Sequence, residues 1–553
     1  MVRSTRIILM VILLSFLIKG IFLVGVFPIF KGQDESRHYN TVQYLATNKS
    51  SDYKKTVSAD GKVVYDNPKQ DKQDLSTYRY SEEIKEAALL TQHKQTRGTY
   101  YDKINFANSK NGIGEVEFKR WQHSRTQRNY PPDIAHSAFG KGGFSLYHWV
   151  VSKIEKLLSQ KNIFIRYDVI RIISVLLGAI TLLLAYKIFR LTRFSERQSL
   201  ILTAIISFQP KLVTYFTNIN YDVLLIPLWT WFIFVAVLVL KKGWNIWRVV
   251  MLGLILIGAI MTKPSALPLL GLVLFLIGMT FYQKLKKQKI KKISWLAIII
   301  IMGAVVWIGY LLLKKVGIVA LFSDKYLNSL GEYLNISLSR VDGSSSNYWG
   351  AMRWSVSNLT MVYVKLIWTI EWIAWFGLGL WIIGPWMKKV IDSFAKVKFL
   401  QIWKKRILTK LSHCPINISL NKCPIVTISV NTYLRIKKQL QKNSFREFKN
   451  QKKYFWFMLL AIIFLQLAIR IADWKVFTGS GNLTLGTPGR YWLPNIVPHF
   501  VLLAMGLKIV TGFFGNKKIR EKYFEFSLLV FLILMILYWC YEVFDIIIPR
   551  FYL

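Results

Sequence analysis

The sequence predicts an all-α polytopic membrane protein with about eleven transmembrane helices. Hydrophobic residues make up 53% of its 553 residues and the mean hydropathy is +0.33, which is too apolar for a soluble protein. The chain also contains apolar runs of roughly 17 to 25 residues, the length that crosses a bilayer core. These runs fall at 7–30, 165–186, 200–217, 222–240, 246–262, 264–282, 294–313, 359–384, 454–472, 491–511 and 525–547.

The first run follows Arg3 and Arg6 and is too long for a secretory signal, so we interpret 1–30 as an uncleaved first transmembrane helix. Basic loops alternate along the chain, and lysine and arginine resist translocation. The N-terminus is therefore predicted to be cytoplasmic and the C-terminus outside, in a cell membrane.

The most basic loop, 387–453, has 17 Lys and Arg against 2 acids and is predicted to be cytoplasmic. Its charge predicts contact with anionic membrane lipids. It lacks the interleaved aromatic and base-reading residues of a nucleic-acid module, so nucleic acid is not expected as a partner.

An outer domain is predicted between the first and second helices, at 31–164. It holds 22 Lys and Arg and 15 of the chain's 29 acids, a sharp change from the apolar spans. Apolar residues recur at near-helical spacing over 133–158, which predicts interfacial amphipathic helices. Helices two to eight are expected over 165–384, with a further outer loop at 314–358. The last three helices follow the basic loop, over 454–553.

Two adjacent carboxylates, Asp34 and Glu35, directly follow the first predicted helix, with Arg37 and His38 next to them. Low polarity at the membrane boundary would make a carboxylate a stronger general base, suited to deprotonating a hydroxyl. Capping of a following helix explains the two acids equally well, because carboxylates are favoured at helix N-termini. With His38 they also offer ligands for a divalent metal, although hard cations need further oxygen ligands.

Two further charged residues fall at predicted outer helix ends. Asp222 starts the fourth helix, where an acid indicates either a functional group or a helix cap. Lys263 lies in a tight turn before Pro264 and breaks the positive-inside pattern. It would either hold a phosphate or extend its ammonium group to the interface.

Arg490 and Tyr491 precede the tenth helix. Arginine is the better phosphate ligand because its planar guanidinium donates two parallel hydrogen bonds. Interfacial anchoring of the aromatic residues explains the same stretch equally well. Further charged candidates at predicted outer helix ends are Arg166, Asp168, Arg171 and Arg353.

These charged residues share one predicted membrane face, as a site for a lipid with a charged headgroup would require. Six short motifs carry them or accompany them in order: Asp34-Glu35-x-Arg37-x-Tyr39, Tyr130-Pro131-Pro132, Arg171–Gly178, Asn220-Tyr221-Asp222, Thr262-Lys263-Pro264 and Gly489–Pro494. In this order they resemble the GT-C membrane glycosyltransferases, including the protein mannosyltransferases, the aminoarabinose transferases and a group of bacterial membrane proteins.

The resemblance implies a GT-C fold and an inverting transfer of a hexosyl or pentosyl group from a polyprenyl-phosphate-linked sugar. Asp34 or Glu35 would be the catalytic base, and Lys263 and Arg490 would hold the phosphate. Asp222 would help to position donor or acceptor, and the substrate-binding set would also include Arg37, His38 and Tyr491.

The predicted function is therefore transfer of a sugar to a glycan or lipid acceptor on the outer membrane face, such as a cell-envelope glycan, a teichoic-type polymer or a glycolipid. Two other classes remain open. A lipid-linked glycan flippase would need charged residues deep within several helices. A non-catalytic envelope assembly protein would tolerate replacement of both Asp34 and Glu35.

Overall fold

The computed structural model describes residues 3–30, 32, 34–47, 84, 87, 145–287, 324–339, 341–351, 358–396, 451–480, 489–514 and 516–549. Regular structure in these residues is helical throughout, without a strand. The predicted all-α class is thereby confirmed. In chain order the α-helices are α1 (Arg3–Val26), α2 (Glu35–Thr47), α3 (Leu146–Leu157), α4 (Ile163–Leu191), α5 (Glu196–Ser207), α6 (Pro210–Tyr215), α7 (Asp222–Lys242), α8 (Ile246–Thr262), α9 (Pro268–Lys287), α10 (Asp324–Ser339), α11 (Val341–Trp349), α12 (Asn358–Lys396), α13 (Lys452–Ser480), α14 (Ile496–Thr511) and α15 (Lys517–Tyr541).

Among the described residues, eight helical segments are long and apolar enough to cross a membrane. They are Arg3–Val26, Ile163–Leu191, Asp222–Lys242, Pro264–Phe281, Asn358–Gly384, Lys452–Thr478, Gly489–Thr511 and Lys517–Ile547. A ninth, α8, is apolar but shorter. The chain is therefore a multi-pass membrane protein. The expected span at 294–313 lies outside the described residues.

One expected span differs from the prediction. The run at 200–217 is interrupted, because α5 ends at Ser207 and α6 begins at Pro210. Proline lacks a backbone N–H and is favoured in the first turn of a new helix. The side chain of Gln209 caps that turn by accepting a hydrogen bond from the N–H of Leu212. The six-residue helix α6 is thus a separate element.

The core of the bundle lies where α4 packs against α1 and α7, and where α12 packs against α14. The crossing of α12 and α14 depends on glycine. A Cβ atom on Gly506 would lie 2.0 Å from the carbonyl oxygen of Ala374, and one on Gly377 would lie 2.3 Å from the carbonyl oxygen of Gly506. Small residues at such crossings let helix backbones approach closely.

The described part of the predicted outer domain consists mainly of α2 and α3, which pack against each other. Glu155 of α3 forms a buried ion pair with Arg166 of α4. It also accepts a hydrogen bond from the hydroxyl of Tyr39 in α2, at 3.1 Å. These contacts join α2 and α3 to the bundle. The helix α3 falls within the amphipathic stretch predicted at 133–158, whose part at 133–144 lies outside the described residues.

Candidate active site

The two adjacent acids after α1 lie in different environments. Glu35 is completely buried and forms a two-point ion pair with Arg171 of α4. The guanidinium Nε lies 2.9 Å from Oε1 and Nη2 lies 2.8 Å from Oε2. The carboxylate also accepts hydrogen bonds from the backbone N–H groups of Gly32 and Ile219, each at 2.9 Å. Four donors therefore engage Glu35.

Arg171 also binds the residues that follow α1. Its Nη1 donates to the carbonyl of Phe27 at 2.5 Å and its Nη2 donates to that of Pro28 at 3.0 Å. A buried charge pair is tolerated when further hydrogen bonds satisfy both partners, as they do here. The Glu35–Arg171 pair thus fixes the turn between α1 and α2.

Asp34, by contrast, is accessible. Its side chain is 36% exposed and Oδ2 accepts a hydrogen bond from Nη2 of Arg490 at 3.2 Å. Its backbone has a φ of +58°, in the left-handed region that aspartate tolerates better than most side chains. Backbone outliers of this kind cluster at functional sites. The two neighbouring carboxylates have different partners, Arg490 for Asp34 and Arg171 for Glu35.

Arg490 is buried in the 3-10 segment Gly489–Asn495 that precedes α14. Its Nη2 donates to Asp34 and to the hydroxyl of Tyr491, the latter at 3.1 Å. Its Nε and Nη1 have no hydrogen-bond partner among the described residues. Buried N–H groups without an acceptor are rare and require an explanation.

Lys263 lies between α8 and α9, where its ammonium contacts both carboxylate oxygens of Asp222, at 2.8 and 2.9 Å. The rings of Tyr221 and Tyr491 flank the ammonium, each with its centroid 4.6 Å from Nζ. Burial opposes the charge, but Asp222 and the two tyrosines together hold the pKa of Lys263 above its ordinary value. Lys263 is therefore a cation at neutral pH.

His38 is buried in α2, where its Nδ1 lies 2.9 Å from Nε2 of His148 in α3. Burial lowers the pKa of both imidazoles, that of His148 to about 3, and nearby Arg490, Lys263 and Arg37 lower that of His38 further. Both rings are neutral at pH 7. The ring of Tyr221 packs against His38, with centroids 4.7 Å apart. The same ring contacts the ammonium of Lys263, so Tyr221 lies between the histidine pair and the lysine.

A metal at the predicted position does not fit this arrangement. The carboxylate of Glu35 faces Arg171, that of Asp34 faces Arg490, and His38 faces His148. No group of three or more metal-binding side chains occurs in the described part of the chain. The three residues proposed as ligands therefore do not converge.

The structure brings most of the predicted site residues to one end of the bundle. Asp34 and Tyr491 contact Arg490, and Tyr491 also contacts Lys263, which contacts Asp222. Glu35, the residue after Asp34, is buried at the start of α2. Arg37 is half-buried in the first turn of the same helix. Of the further candidates, Arg166 and Arg171 form the buried ion pairs with Glu155 and Glu35, and Arg353 lies outside the described residues.

Two contributors were missed. Tyr215 of α6 donates a hydrogen bond to Oδ2 of Asp222 at 2.9 Å, and His148 pairs with His38. The sequence signal for His148 was available, because Ser145 followed three residues later by a hydrogen-bonding side chain is a capping pattern. No comparable signal marks Tyr215, because the apolar run at 200–217 predicts one uninterrupted span there.

The chain matches a known family over part of its length. The family of dolichyl-phosphate-mannose-protein mannosyltransferases matches residues 146–307, which include α3, α4, α7, α8 and Lys263. No curated protein and no solved structure matches the chain significantly. The family match confirms the resemblance drawn from the motifs. Over these residues, less than a third of the chain, the protein is similar to that mannosyltransferase family.

Proposed function

We propose that this protein transfers a hexosyl or pentosyl group from a polyprenyl-phosphate sugar to a hydroxyl of a cell-envelope glycan, teichoic-type polymer or glycolipid, with inversion at the anomeric carbon. The observation that carries the proposal is the environment of Arg490. A buried guanidinium whose Nε and Nη1 have no acceptor among the described residues lies 3.2 Å from an accessible carboxylate, Asp34. This pairing suits a site that binds a phosphate beside a general base.

Arg490 is the principal phosphate ligand in this proposal. Its Nε and Nη1, which have no acceptor among the described residues, can donate to phosphate oxygens. Lys263 supplies a second positive charge, held in place by Asp222 and linked to Arg490 through the ring of Tyr491. Two cations at the leaving phosphate stabilise the negative charge that develops there as the glycosidic bond breaks.

Asp34 is the general base. As the acceptor oxygen bonds to the anomeric carbon, its proton passes to the Asp34 carboxylate, and the carbon–oxygen bond to phosphate breaks with its electron pair on the departing polyprenyl phosphate. A single displacement of this kind inverts the anomeric configuration. Glu35 is less suited to the role, because four donors already engage its carboxylate.

Donor binding and base activity are linked in this arrangement. At rest, Nη2 of Arg490 contacts Asp34. A phosphate at Arg490 competes for this guanidinium and weakens its hold on the carboxylate, which frees an oxygen of Asp34 to accept the proton of the acceptor hydroxyl. Asp222 is less easily displaced from Lys263, because two short contacts and the hydroxyl of Tyr215 hold it.

We place this end of the bundle at the outer face of a cell membrane, with the N-terminus cytoplasmic and the C-terminus outside. The alternation of basic loops along the sequence supports this orientation. In the same orientation 31–164 forms an outer domain and the basic loop 387–453 lies in the cytoplasm. Donor and acceptor would then meet at the outer interface.

The test is sugar transfer by purified protein in nanodiscs, with radiolabelled polyprenyl-phosphate sugars and envelope glycan or glycolipid acceptors. We expect the wild type to release polyprenyl phosphate and Asp34→Asn to lose this activity. Asp545→Asn, an exposed acid in the π-helical turn after α15, is the matched control and should retain it. If the wild type binds the lipid without any transfer, and Asp34→Asn still complements a deletion strain, the flippase alternative replaces this proposal.

A further inference from the structure

The short helix α6 contacts two parts of the candidate site, first the Asp222–Lys263 pair and second the residues that support Arg490. It contains no residue that would touch the donor phosphate. We propose that α6 sets the relative positions of Lys263 and Arg490, with Tyr215 and Lys211 as positioning residues for the donor phosphate. This inference rests on the proposed function, because it assigns α6 a role in the phosphate affinity of that site.

The first half of the site is held through Tyr215. Its hydroxyl donates to Oδ2 of Asp222 at 2.9 Å. Asp222 in turn holds the ammonium of Lys263 with both carboxylate oxygens. Loss of the tyrosine hydroxyl would leave Oδ2 of Asp222 bound to Lys263 alone and relax the position of the carboxylate and of the lysine.

The second half is held through Lys211, which lies four residues before Tyr215 and hence on the same face of α6. Its Nζ donates to the backbone carbonyl of Ala351 at 2.9 Å, and Thr214 donates to the same carbonyl at 3.1 Å. The side-chain amide of Gln209 donates to the carbonyl of Tyr348. Three side chains at α6 thus hold the end of α11 and the residues that follow it.

That part of the chain supports Arg490 directly. The side-chain oxygen of Asn347 accepts a hydrogen bond from the backbone N–H of Gly489 at 3.1 Å. A Cβ atom on Gly489 would lie 2.2 Å from the backbone nitrogen of Tyr348, so only glycine allows this approach. Because Arg490 follows Gly489 immediately, a shift of Tyr348 would move the guanidinium.

A buried carboxylate binds the same residue as Lys211. Glu542 is completely buried, and its Oε2 accepts a hydrogen bond from the backbone N–H of Ala351 at 3.1 Å. The N–H and the carbonyl of Ala351 are thus bound by groups of opposite charge. Charged groups are expensive to bury unless they are paired, and both of these groups bind Ala351, next to the residues that support Arg490.

The experiment measures two quantities for each variant: the Kd for farnesyl phosphate, a short polyprenyl phosphate, and the KM values for donor and acceptor. Tyr215→Phe removes only the hydroxyl bound to Asp222. The double variant Lys211→Met with Glu542→Gln removes both buried charges together and avoids leaving one unpaired.

Matched controls come from the opposite end of the bundle. Tyr186→Phe alters a buried tyrosine of α4 whose hydroxyl has no hydrogen-bond partner in the described part of the chain. Lys453→Met removes a partly buried ammonium that binds the backbone carbonyl of Leu240. Neither residue adjoins Lys263 or Arg490 in any described contact.

We expect both test variants to raise the farnesyl phosphate Kd and the donor KM by roughly tenfold, the loss expected for one hydrogen bond to a charged group. The acceptor KM and the control variants should stay near the wild-type values. A loss of folded protein would lower Vmax but leave the KM and Kd of the remaining folded fraction unchanged, so selective weakening on the phosphate side separates positioning from mere stability.

If the wild type binds farnesyl phosphate and both test variants bind it equally well, the role of α6 is refuted while the proposed function stands. An equal rise in donor and acceptor KM also refutes it. If the wild type does not bind farnesyl phosphate at all, the proposed function itself fails.

Discussion

Glu35→Gln and Asp34→Asn are expected to have opposite consequences, although the two acids are adjacent in sequence. Glu35→Gln removes the charge opposite Arg171 in a pair that is completely buried on both sides. Breaking such a pair from one side costs about 3–5 kcal/mol, because an uncompensated charge remains. The amide oxygen of glutamine can still accept one hydrogen bond, which places the expected cost near the lower limit.

Asp34→Asn should leave stability almost unchanged. The carboxylate has one contact with Arg490, at 3.2 Å, and its side chain is 36% exposed. Solvent screens the Asp34 side of this ion pair, and the side-chain oxygen of asparagine can still accept a hydrogen bond from Arg490, so the expected cost is about 1 kcal/mol. If Asp34 is the base, however, transfer should fall by about 10²–10⁴-fold, the usual contribution of general base catalysis. This loss corresponds to roughly 3–5 kcal/mol in the activation barrier.

The assay pairs thermal unfolding in detergent with sugar transfer at saturating donor. Glu35→Gln should unfold several degrees below the wild type, and the folded fraction should keep measurable activity. Combining Glu35→Met with Arg171→Met should recover part of the stability, because both buried charges are then absent. If Glu35→Gln unfolds like the wild type and is inactive, while Asp34→Asn transfers normally, Glu35 is the base and the assignment fails.

Three further predictions concern the phosphate site, the histidine pair and the helix crossing. Arg490→Lys keeps the charge but loses the planar guanidinium, so the Kd for farnesyl phosphate should rise at least tenfold; an unchanged Kd would argue against Arg490 as the ligand. Since burial lowers the pKa of His38 and His148 below the unfolded value near 6.5, the folded protein binds fewer protons than the unfolded chain at mildly acidic pH. The stabilisation of the fold by the neutral histidines is then fully present above about pH 6.5, and the free energy of unfolding falls by about 1.4 kcal/mol per pH unit for each histidine as the pH is lowered. His148→Gln keeps a hydrogen-bonding side chain at the capping position. This variant should therefore show a smaller fall in melting temperature between pH 7 and pH 5. Gly506→Leu should lower the melting temperature at every pH, because its Cβ would lie 2.0 Å from the carbonyl oxygen of Ala374; a wild-type melting temperature would contradict the observed crossing of α12 and α14.

The fold class was predictable because a bilayer imposes a length and a composition on every span. The interruption at Gln209 and Pro210 was harder to predict, because the residues on both sides are apolar enough to continue a span. Only the cap at Gln209 and the proline at the first position of the new helix mark the break. This single local feature creates α6.

Part of the site follows from topology. Because α7 and α8 are consecutive and antiparallel, the first residue of α7 and the residue after α8 must lie at the same end of the bundle. The contact between Asp222 and Lys263 is thus the kind that a hairpin of helices predicts. The contacts of Glu35 with Arg171 and of Asp34 with Arg490 join residues 136 and 456 positions apart, and sequence patterns contain no information on either pairing.

The arrangement of charges in the site follows from the need to keep two cations in a largely buried place without substrate. Arg490 and Lys263 each contact a carboxylate, Asp34 and Asp222 respectively, so the resting site is close to neutral. The two pairs differ in strength, since Asp222 is held by two short contacts and by Tyr215, while Asp34 has one longer contact and is partly exposed. An incoming phosphate should therefore displace the weaker partner. In the mechanism proposed above, that partner is the base that the reaction requires.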